Sequence, residues 1–485
     1  MLKLVLGTSG SGKTTLLYAR IRARAEAGKR SILLVPEQFT SSTEARIYRE
    51  LGDALSGMVE SYSFTSLAEH ILAALGGAAV QTLTDAGRAV LVRRALEELQ
   101  DNVHYYYRHR RSAAFCQMAA ETIDELKSAG LSGQQLQELA RDCGTESAKL
   151  GELALIFQGY ESLLAGTGMD PADRLELAAD RLEAALARDE LPDFLREREV
   201  FIDEFDTFNA PKKRLMGAML AALPAVTVAL CEDGAPMQPG DLELFSGAKQ
   251  VAAQLRQLAR KNGAQVAAPE LLRRDLRHKD APGLAALTEL LETGSCTPPE
   301  SAPELRLFAA ASREEEARCA AAAIRRLMQQ GVRCGKIAVV CRDISLYRAA
   351  VRYEFRMAEI PLYCDEPTTP EFSAPATAVR ALLALLRGAD MTEQLTVLAK
   401  TGLCDLTEPE VCALENYAYT WSPNAAAWRA EFTKSPRGFG DAELTEEDTL
   451  NLTRAENARQ NLCSHFTWQA VFATMMEAVT SAKRS

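Results

Sequence analysis

The stretch LKLVLGTSGSGKT, residues 2–14, decides the fold of this 485-residue chain. It opens with a short, mainly apolar run, Leu2 to Leu6, and continues through a glycine-rich turn into a helical stretch, Thr14 to Ala27. A second run typical of a buried strand, Ser31 to Val35, follows and ends at a proline. Residues 1–36 therefore predict a βαβ unit, and with it an α/β protein built on a parallel sheet.

The turn itself matches the pattern G-x-x-x-x-G-K-[ST] and stands between a predicted strand and a predicted helix. In that context, backbone N–H groups surround phosphate oxygens, Lys13 reaches the terminal phosphates and the Thr14 hydroxyl binds Mg²⁺. The sequence thus predicts a nucleotide–Mg²⁺ site, with the base left open. Its predicted nucleotide-binding residues are Gly7, Thr8, Ser9, Gly10, Ser11, Gly12, Lys13, Thr14 and Thr15.

A pair of acids follows a second buried-strand pattern, Val200 to Glu204 (VFIDE). Asp203 is predicted to bind the Mg²⁺ ion and Glu204 to orient an attacking water, so both are candidate catalytic residues beside Lys13. The alternative is an ordinary solvated sheet edge, where acidic pairs are common. The phosphate loop on the same sheet favours the catalytic interpretation.

Composition limits the remaining function classes. The chain has 55 basic and 66 acidic residues, a net charge of −11, so nucleic acid would need a local basic groove. One candidate is Tyr105 to Arg111 (YYYRHRR). Its rings could stack on bases, and Arg108, Arg110 and Arg111 could pair with phosphates. The alternative is a helix with half-buried tyrosines and solvated arginines that binds no nucleic acid. Eleven dispersed cysteines without a C-x-x-C pair, and no long apolar run, predict a cytoplasmic protein without membrane contact.

The order of patterns along the chain predicts its domains. Strand patterns at Leu305 to Ala309 and Lys336 to Cys341 flank a helical pattern and predict a second α/β domain, and the proline-rich stretch before them is typical of a linker. The predicted segments are 1–83 and 196–292 for the first α/β domain, 84–195 for a helical insertion, 293–304 for the linker, 305–375 for the start of the second α/β domain, and 376–485 for a second helical insertion.

About 190 residues separate the phosphate loop from the acid pair. The chain resembles the AddB (RexB) subunit of AddAB-type helicase–nucleases and, more distantly, UvrD-like superfamily 1 helicases. Blocks in the same order over almost the whole chain carry the resemblance. They are VLGTSGSGKTTL (5–16), LLVPEQ (33–38), SFTSLA (63–68), AETIDELKSAGLSGQQL (120–136), KLGELALIFQGYESLL (149–164), VFIDEFDTFNAPKKRLM (200–216), KIAVVCRDISLYRAAVRYEF (336–355), IPLYCDEP (360–367), LAKTGLCDLTEPEVCALENYAYTW (398–421) and Trp428.

The resemblance implies two P-loop NTPase (RecA-like) domains with large helical insertions, in a complex that processes DNA ends during recombinational repair. It implies an AddA-type helicase–nuclease partner and contact with single- and double-stranded DNA. It also implies that the bound nucleotide is ATP and that Arg342 points at the γ-phosphate from the second domain. The residues that it places against single-stranded DNA are Pro36, Gln38, Ser63, Phe64 and Thr65.

Several features depart from the helicase pattern. No room precedes Gly7 for an adenine-gripping glutamine motif, and the coupling element after Val226 to Leu230 is replaced by Cys231-Glu232-Asp233-Gly234. The chain stops in a helical pattern, Phe466 to Ala482, so the resemblance implies truncation before a nuclease domain. The 4Fe-4S cluster implied for full-length members has no assignable ligands here. The alternatives to an active subunit are a DNA-guiding scaffold with a structural nucleotide and an unrelated P-loop kinase or signalling ATPase.

Overall fold

The computed structural model describes residues 1–77, 82–236, 244–364, 372–440 and 443–465. The chain forms two compact units, 1–307 and 308–485. The strands are β1 Leu2–Gly7, β2 Ser31–Leu34, β3 Val59–Tyr62, β4 Glu199–Ile202, β5 Ala225–Cys231 and β6 Glu270–Leu272. The helices of the first unit are α1 Lys13–Glu26, α2 Thr40–Leu51, α3 Asp53–Ser56, α4 Phe64–Leu75, α5 Asp85–Glu98, α6 Ala113–Ala129, α7 Gly133–Ala140, α8 Ser147–Leu164, α9 Pro171–Ala187, α10 Ala210–Ala222, α11 Ser246–Lys261 and α12 Pro282–Thr293.

The six strands form one parallel sheet in the order β3-β2-β4-β5-β1-β6. In this sheet β1 lies between β5 and β6, with Gly7 opposite both Cys231 and Leu272. β4 lies between β2 and β5, with Ile202 opposite Leu34. The carboxyl ends of β1 and β4 therefore meet at the same edge of the sheet, which confirms the predicted α/β class with a parallel sheet.

The sheet is buried on both faces because successive side chains of a strand point to opposite sides. Leu4 and Leu6 of β1 belong to a core shared with α4, α9, α10 and α11, whereas Val5 belongs to a core on the other face, shared with α1 and α2. β4 alternates in the same way, since Val200 and Ile202 join the first core and Phe201 joins the second. Because both faces of the sheet are buried, nearly every residue of its central strands is apolar.

Helices α5, α6 and α8 have a separate core around Phe157 and Ile156, which are fully buried. α9, the last helix before β4, packs on the sheet instead, because Leu175 and Leu182 belong to the sheet's larger core. The two layers are joined by a buried polar network. Lys127 of α6 pairs with Asp170 at the start of α9 (Nζ to Oδ2, 2.9 Å), and Tyr160 of α8 donates to the same carboxylate (2.7 Å).

The second unit is helical in its described residues. α13 and α14 form a pair with the buried apolar residues Ala321 and Phe355, tied by Arg318, which donates to Glu354 (NH2 to Oε1, 3.0 Å). α15 to α19 surround the fully buried Trp428, whose indole N–H donates to Thr392 (2.9 Å). The helices of this unit are α13 Arg313–Gln329, α14 Ile344–Met357, α15 Ala374–Leu386, α16 Met391–Ala399, α17 Glu408–Trp421, α18 Ala425–Arg429 and α19 Glu446–His465.

Two predicted strands are wrong. Residues 305–309 and 336–341 form no strand, and Leu307 and Val340 are 99% and 90% exposed. A strand needs a neighbouring strand that takes up its backbone N–H and C=O groups, and in the described part of the chain neither stretch is paired with one. Apolar composition alone therefore does not determine whether a stretch forms a strand.

Strands β3 and β6 lacked a clear sequence pattern and were not predicted. The predicted helical stretch Phe466 to Ala482 lies outside the described residues. Among the helices that the structure describes, none is long and apolar enough to cross a membrane.

Candidate functional site

The phosphate loop connects the carboxyl end of β1 to the start of α1, as predicted. Gly7 lies against β6, where an added Cβ would come 2.7 Å from the carbonyl oxygen of Leu272. Gly12 precedes α1 with φ of 90°, a left-handed conformation that glycine adopts at little cost. None of the described side chains caps α1, and its first turn holds no acid. The first N–H groups of α1 are therefore available to an anion.

Lys13 is held inside this loop. Its ammonium donates to the carbonyl oxygens of Gly7 and Thr8, both at 2.8 Å. Burial lowers the pKa of Lys13, and the nearby Cys231 and Asp203 oppose that effect. The loop also buries the Ser11 hydroxyl, which has no hydrogen-bond partner among the described residues. The Ser11 hydroxyl is therefore a donor that a phosphate oxygen could satisfy, and the Lys13 ammonium is held at the same loop.

The acid pair directly follows β4. Asp203 is 6% exposed and accepts a hydrogen bond from the backbone N–H of Glu204 (3.0 Å), while its own N–H donates to Leu34. Glu204 is exposed and has φ of 65°, unusual for a residue with a side chain. Burial and the charge of Asp203 raise the pKa of Glu204, and Arg46 opposes them. The two carboxylates thus differ in burial and in hydrogen bonding.

A cleft of about 250 Å³ brings the loop and the acid pair together. Thr14, Asp203 and Glu204 all line it, together with Tyr18 and Arg46. The Arg46 guanidinium lies 4.9 Å from the centre of the Tyr18 ring, so it joins α2 to α1 beside the two carboxylates. Burial raises the pKa of Tyr18 to about 12, so the phenol stays neutral.

This cleft suits Mg²⁺. The Thr14 hydroxyl and the Asp203 carboxylate are the hard oxygen donors that Mg²⁺ prefers, and Mg²⁺ in nucleotide sites takes one or two carboxylates, with phosphate oxygens and water completing its shell. Within the described part of the chain, no group of three or more His, Cys, Asp or Glu side chains could hold a metal alone. A metal here would therefore depend on phosphate, as the predicted ATP–Mg²⁺ site requires.

Sequence reasoning missed the segment after β6, which lies against the phosphate loop. The N–H of Leu276 donates to Gly10 (3.0 Å), and the Arg277 guanidinium donates to the Ser9 hydroxyl (3.3 Å). Asp275 fixes the turn by accepting from the N–H of Arg277 (2.9 Å). The available signal was the arginine-rich run RRDLRH (273–278) directly after a strand. Because β6 has no clear strand pattern, the sequence did not place this run beside the phosphate loop.

Gly10 makes this approach possible. It has φ of 81°, and an added Cβ would lie 2.8 Å from the Asp275 carboxylate and 2.9 Å from the Cβ of Arg277. The pattern G-x-x-x-x-G-K-[ST] does not require a glycine at this position. Its function here is to let the segment after β6 pack closely on the loop.

The residues predicted to face single-stranded DNA are placed differently from one another. Gln38 is exposed and Pro36 and Thr65 are half-buried. Ser63 and Phe64 are buried. The Ser63 hydroxyl accepts from the N–H of Ser66 (3.1 Å) and caps α4, and the Phe64 ring packs edge-on to those of Phe205 and Phe208. Both therefore have clear structural roles.

The predicted basic patch is a loop with one 3₁₀ turn rather than a regular helix. Three consecutive N–H groups, from residues 104–106, donate to the carboxylate of Glu152 at 2.9 to 3.1 Å. Arg108 and Arg111 are exposed, whereas the Arg110 guanidinium stacks 3.8 Å from the centre of the Tyr107 ring. Arg342 belongs to the second unit, where it is exposed.

Comparison with known proteins gives one family and a consistent set of relatives. The family described as "ADDB, N-terminal" matches residues 4–288. A protein of Desulforudis audaxviator, named as a subunit of an ATP-dependent helicase/deoxyribonuclease, is 32% identical over 88% of this chain and 37% of its own length. Proteins of the same name from Moorella thermoacetica (31% identical; 88% of this chain, 38% of theirs) and Clostridium perfringens (26%; 95% and 40%) are also similar. The chain spans about two fifths of the length of these relatives.

Proposed function

The chain belongs to the AddB N-terminal family, and from that premise we propose that it is the ATP-binding, DNA-contacting part of the AddB-type subunit of an ATP-dependent helicase/deoxyribonuclease. In this proposal residues 1–83 and 196–292 form a RecA-like P-loop domain. A second RecA-like domain beginning in residues 305–375 stays a prediction, because the described residues of that stretch form no strand. The complex would act in the cytoplasm on broken DNA ends, with an AddA-type partner. The single observation that carries the ATP site is the cleft shared by Thr14, Asp203 and Glu204 beside the Lys13 loop.

The loop, the cleft residues and two arginines each have a separate role in the proposed ATP site. The N–H groups of the loop and the Lys13 ammonium hold the triphosphate, and Thr14 and Asp203 hold Mg²⁺. When bound, the ion would neutralise charge on the phosphate oxygens. Glu204 accepts a proton from the attacking water, and its exposure gives that water access. Arg277, in the same unit, supplies a cation that stabilises charge on the phosphate oxygens. Arg342, in the second unit, is proposed as a second such cation.

One observation favours the rival in which the nucleotide is structural. After β5, Asp233 pairs with Lys249 (Oδ1 to Nζ, 3.0 Å), and the adjacent Glu232 is buried. Glu232 is thus withdrawn from the surface, and the exposed Asp233 is already paired with Lys249, so neither acid offers a donor to DNA phosphate. A scaffold that holds nucleotide and DNA without coupling them is therefore the second candidate. Family membership leaves the kinase alternative without support.

Titration of a fluorescent ATP analogue tests the proposal. The native chain should bind it, more tightly with Mg²⁺ than without. Lys13→Ala should weaken binding roughly 30-fold, since a hydrogen bond to a charged group contributes about 2 kcal/mol. Lys29→Ala is the matched control, because Lys29 is exposed and lies just beyond the other end of α1. A native chain that binds no triphosphate, or a Lys13→Ala chain that binds it equally well, would contradict the ATP site.

DNA-stimulated ATP hydrolysis separates the two candidates. An active subunit should hydrolyse ATP faster with single-stranded DNA, and Lys13→Ala should abolish the increase. A rate unchanged by DNA and by the substitution, with nucleotide binding intact in the native chain, supports the scaffold.

A further inference from the structure

The second unit carries a polar cleft of about 400 Å³ between α17 and α19, remote in sequence from every residue considered above. We call it the α17 cleft and define it by its polar lining, Asn416, Tyr419, Thr420, Arg437, Asp448, Asn451 and Arg454, in which Asp448 pairs with Arg437. The residues of α17 form its first wall, those of α19 the second, and the loop 434–440 closes one side. Aromatic, amide and guanidinium groups thus share one cavity.

The loop 434–440 is fastened to the end of α17. The Trp421 indole N–H donates to the carbonyl oxygen of Ser435 (2.8 Å), and the backbone N–H of Lys434 donates to the Tyr417 hydroxyl (3.4 Å). Gly438 has φ of 89°, and an added Cβ would lie 3.3 Å from the methyl group of Thr420. The loop therefore holds its side chains in fixed positions, which lowers the entropy lost on binding a ligand.

Two aromatic rings of this surface face solvent. Tyr419 is 89% exposed and Phe439 is 94% exposed. The Phe439 ring lies edge-on to Trp421, with centroids 4.6 Å apart, so it stands on a fixed support. Rings as exposed as these have no role in the core, and exposed aromatic rings are typical of binding surfaces.

Cations alternate with these rings. The Lys434 ammonium lies 4.5 Å from the centre of the Trp421 ring. Arg437 is oriented by Asp448 (Nε to Oδ1, 2.9 Å), and Arg454 donates to the side-chain oxygen of Asn451 (3.3 Å). Bases stack on rings, and phosphates pair with the cations between them, so this alternation fits single-stranded nucleic acid better than an apolar peptide.

Resting on the DNA-contacting function proposed above, we propose that the α17 cleft and the adjoining loop 434–440 bind single-stranded nucleic acid. Tyr419 in the cleft and Phe439 on the loop would stack on bases, and Arg454 in the cleft and Lys434 on the loop would face phosphates. Asn416 and Asn451 line the floor, where their amides meet the edge of a base. The cleft has room for one or two bases. This is a second contact with the strand, independent of the ATP site and of the patch at Arg108 to Arg111.

Photo-crosslinking of the full chain to a bromodeoxyuridine oligonucleotide, followed by peptide mapping, tests this site. Crosslinks should fall within residues 417–440. Tyr419→Ala and Phe439→Ala should each remove those crosslinks and weaken binding about tenfold, because stacking on an aromatic side chain contributes about 1–3 kcal/mol per base. Tyr419→Trp should restore binding. Tyr353→Ala is the control, since Tyr353 is also exposed in the second unit but lies on α14.

The substituted rings are exposed, so the variants should fold as the native chain does, which circular dichroism will check. A strand that crosslinks only elsewhere, or alanine variants that bind as the native chain does, would overturn the proposal. If the alanine variants fail to bind a protein partner but bind DNA as the native chain does, the proposal is also overturned, because the cleft is then a protein interface. Each of these results leaves the ATP site unaffected.

Discussion

At the scale of single residues, the two acids after β4 have different surroundings and should therefore have separable functions. Asp203 is buried and faces the same cleft as Thr14, whereas Glu204 is exposed with a left-handed backbone. Because burial and Asp203 raise the pKa of Glu204, its charged form is favoured only above that raised pKa. A base at this position is thus lost earlier, as the pH falls, than an ordinary glutamate would be.

We expect Asp203→Asn to abolish the increase in nucleotide affinity that Mg²⁺ gives, while Glu204→Gln leaves that increase intact. If the chain hydrolyses ATP, Glu204→Gln should slow hydrolysis about 100-fold or more, as loss of a general base does. Nucleotide titration with and without Mg²⁺, beside a hydrolysis assay, checks both. The reverse pattern, with Mg²⁺ dependence lost only in Glu204→Gln, would exchange the two assignments.

At the scale of elements, the network of Lys127, Asp170 and Tyr160 joins α6, α8 and α9. The side chains of Lys127 and Asp170 are 9% and 2% exposed. Lys127→Met leaves the Asp170 charge buried without its cation, and it should lower the free energy of unfolding by about 3–5 kcal/mol. Lys149→Met, which removes an exposed pair with Glu146, should cost less than about 1 kcal/mol. Denaturant unfolding measures both, and equal costs would contradict the network's role.

The pH dependence of this network follows from Lys127. Burial lowers the pKa of its ammonium, but hydrogen bonds with Asp173 and Asp170 offset burial, and the net shift is upward. The stabilisation is therefore fully present below the ordinary lysine pKa, and it is lost only as the pH rises through the raised value. Between neutral pH and about pH 9, the cost of Lys127→Met should stay constant.

The elements also show what the sequence could and could not predict. β1, the phosphate loop and α1 follow from local patterns, because glycine, lysine and apolar spacing act within a few residues. Arg277 could not be placed, since its contact with Ser9 depends on β6 pairing with β1 across more than 260 residues of chain. The strands predicted at 305–309 and 336–341 failed for the same reason: strand formation depends on a distant partner.

At the scale of the whole molecule, a net charge of −11 opposes DNA, so any binding must come from local cations. We expect single-strand affinity to fall steeply with salt. Arg108→Ala combined with Arg111→Ala should weaken binding and reduce the salt slope by about 1–2. Arg93→Ala with Arg94→Ala is the control, because those exposed arginines pair with acids on the same helix. An unchanged slope in the first variant would remove the patch from the proposed DNA path.

The position of β1 in the sheet also bears on biosynthesis. Its partners lie at residues 226–231 and 270–272, so this strand finds its neighbours only after more than 200 further residues have been made. At bacterial rates of about 5–20 residues per second, this interval is roughly 10–50 s. During that time the nascent apolar strand is a natural client for chaperones, and the contact of Arg277 with Ser9 of the phosphate loop forms only after translation has passed β6.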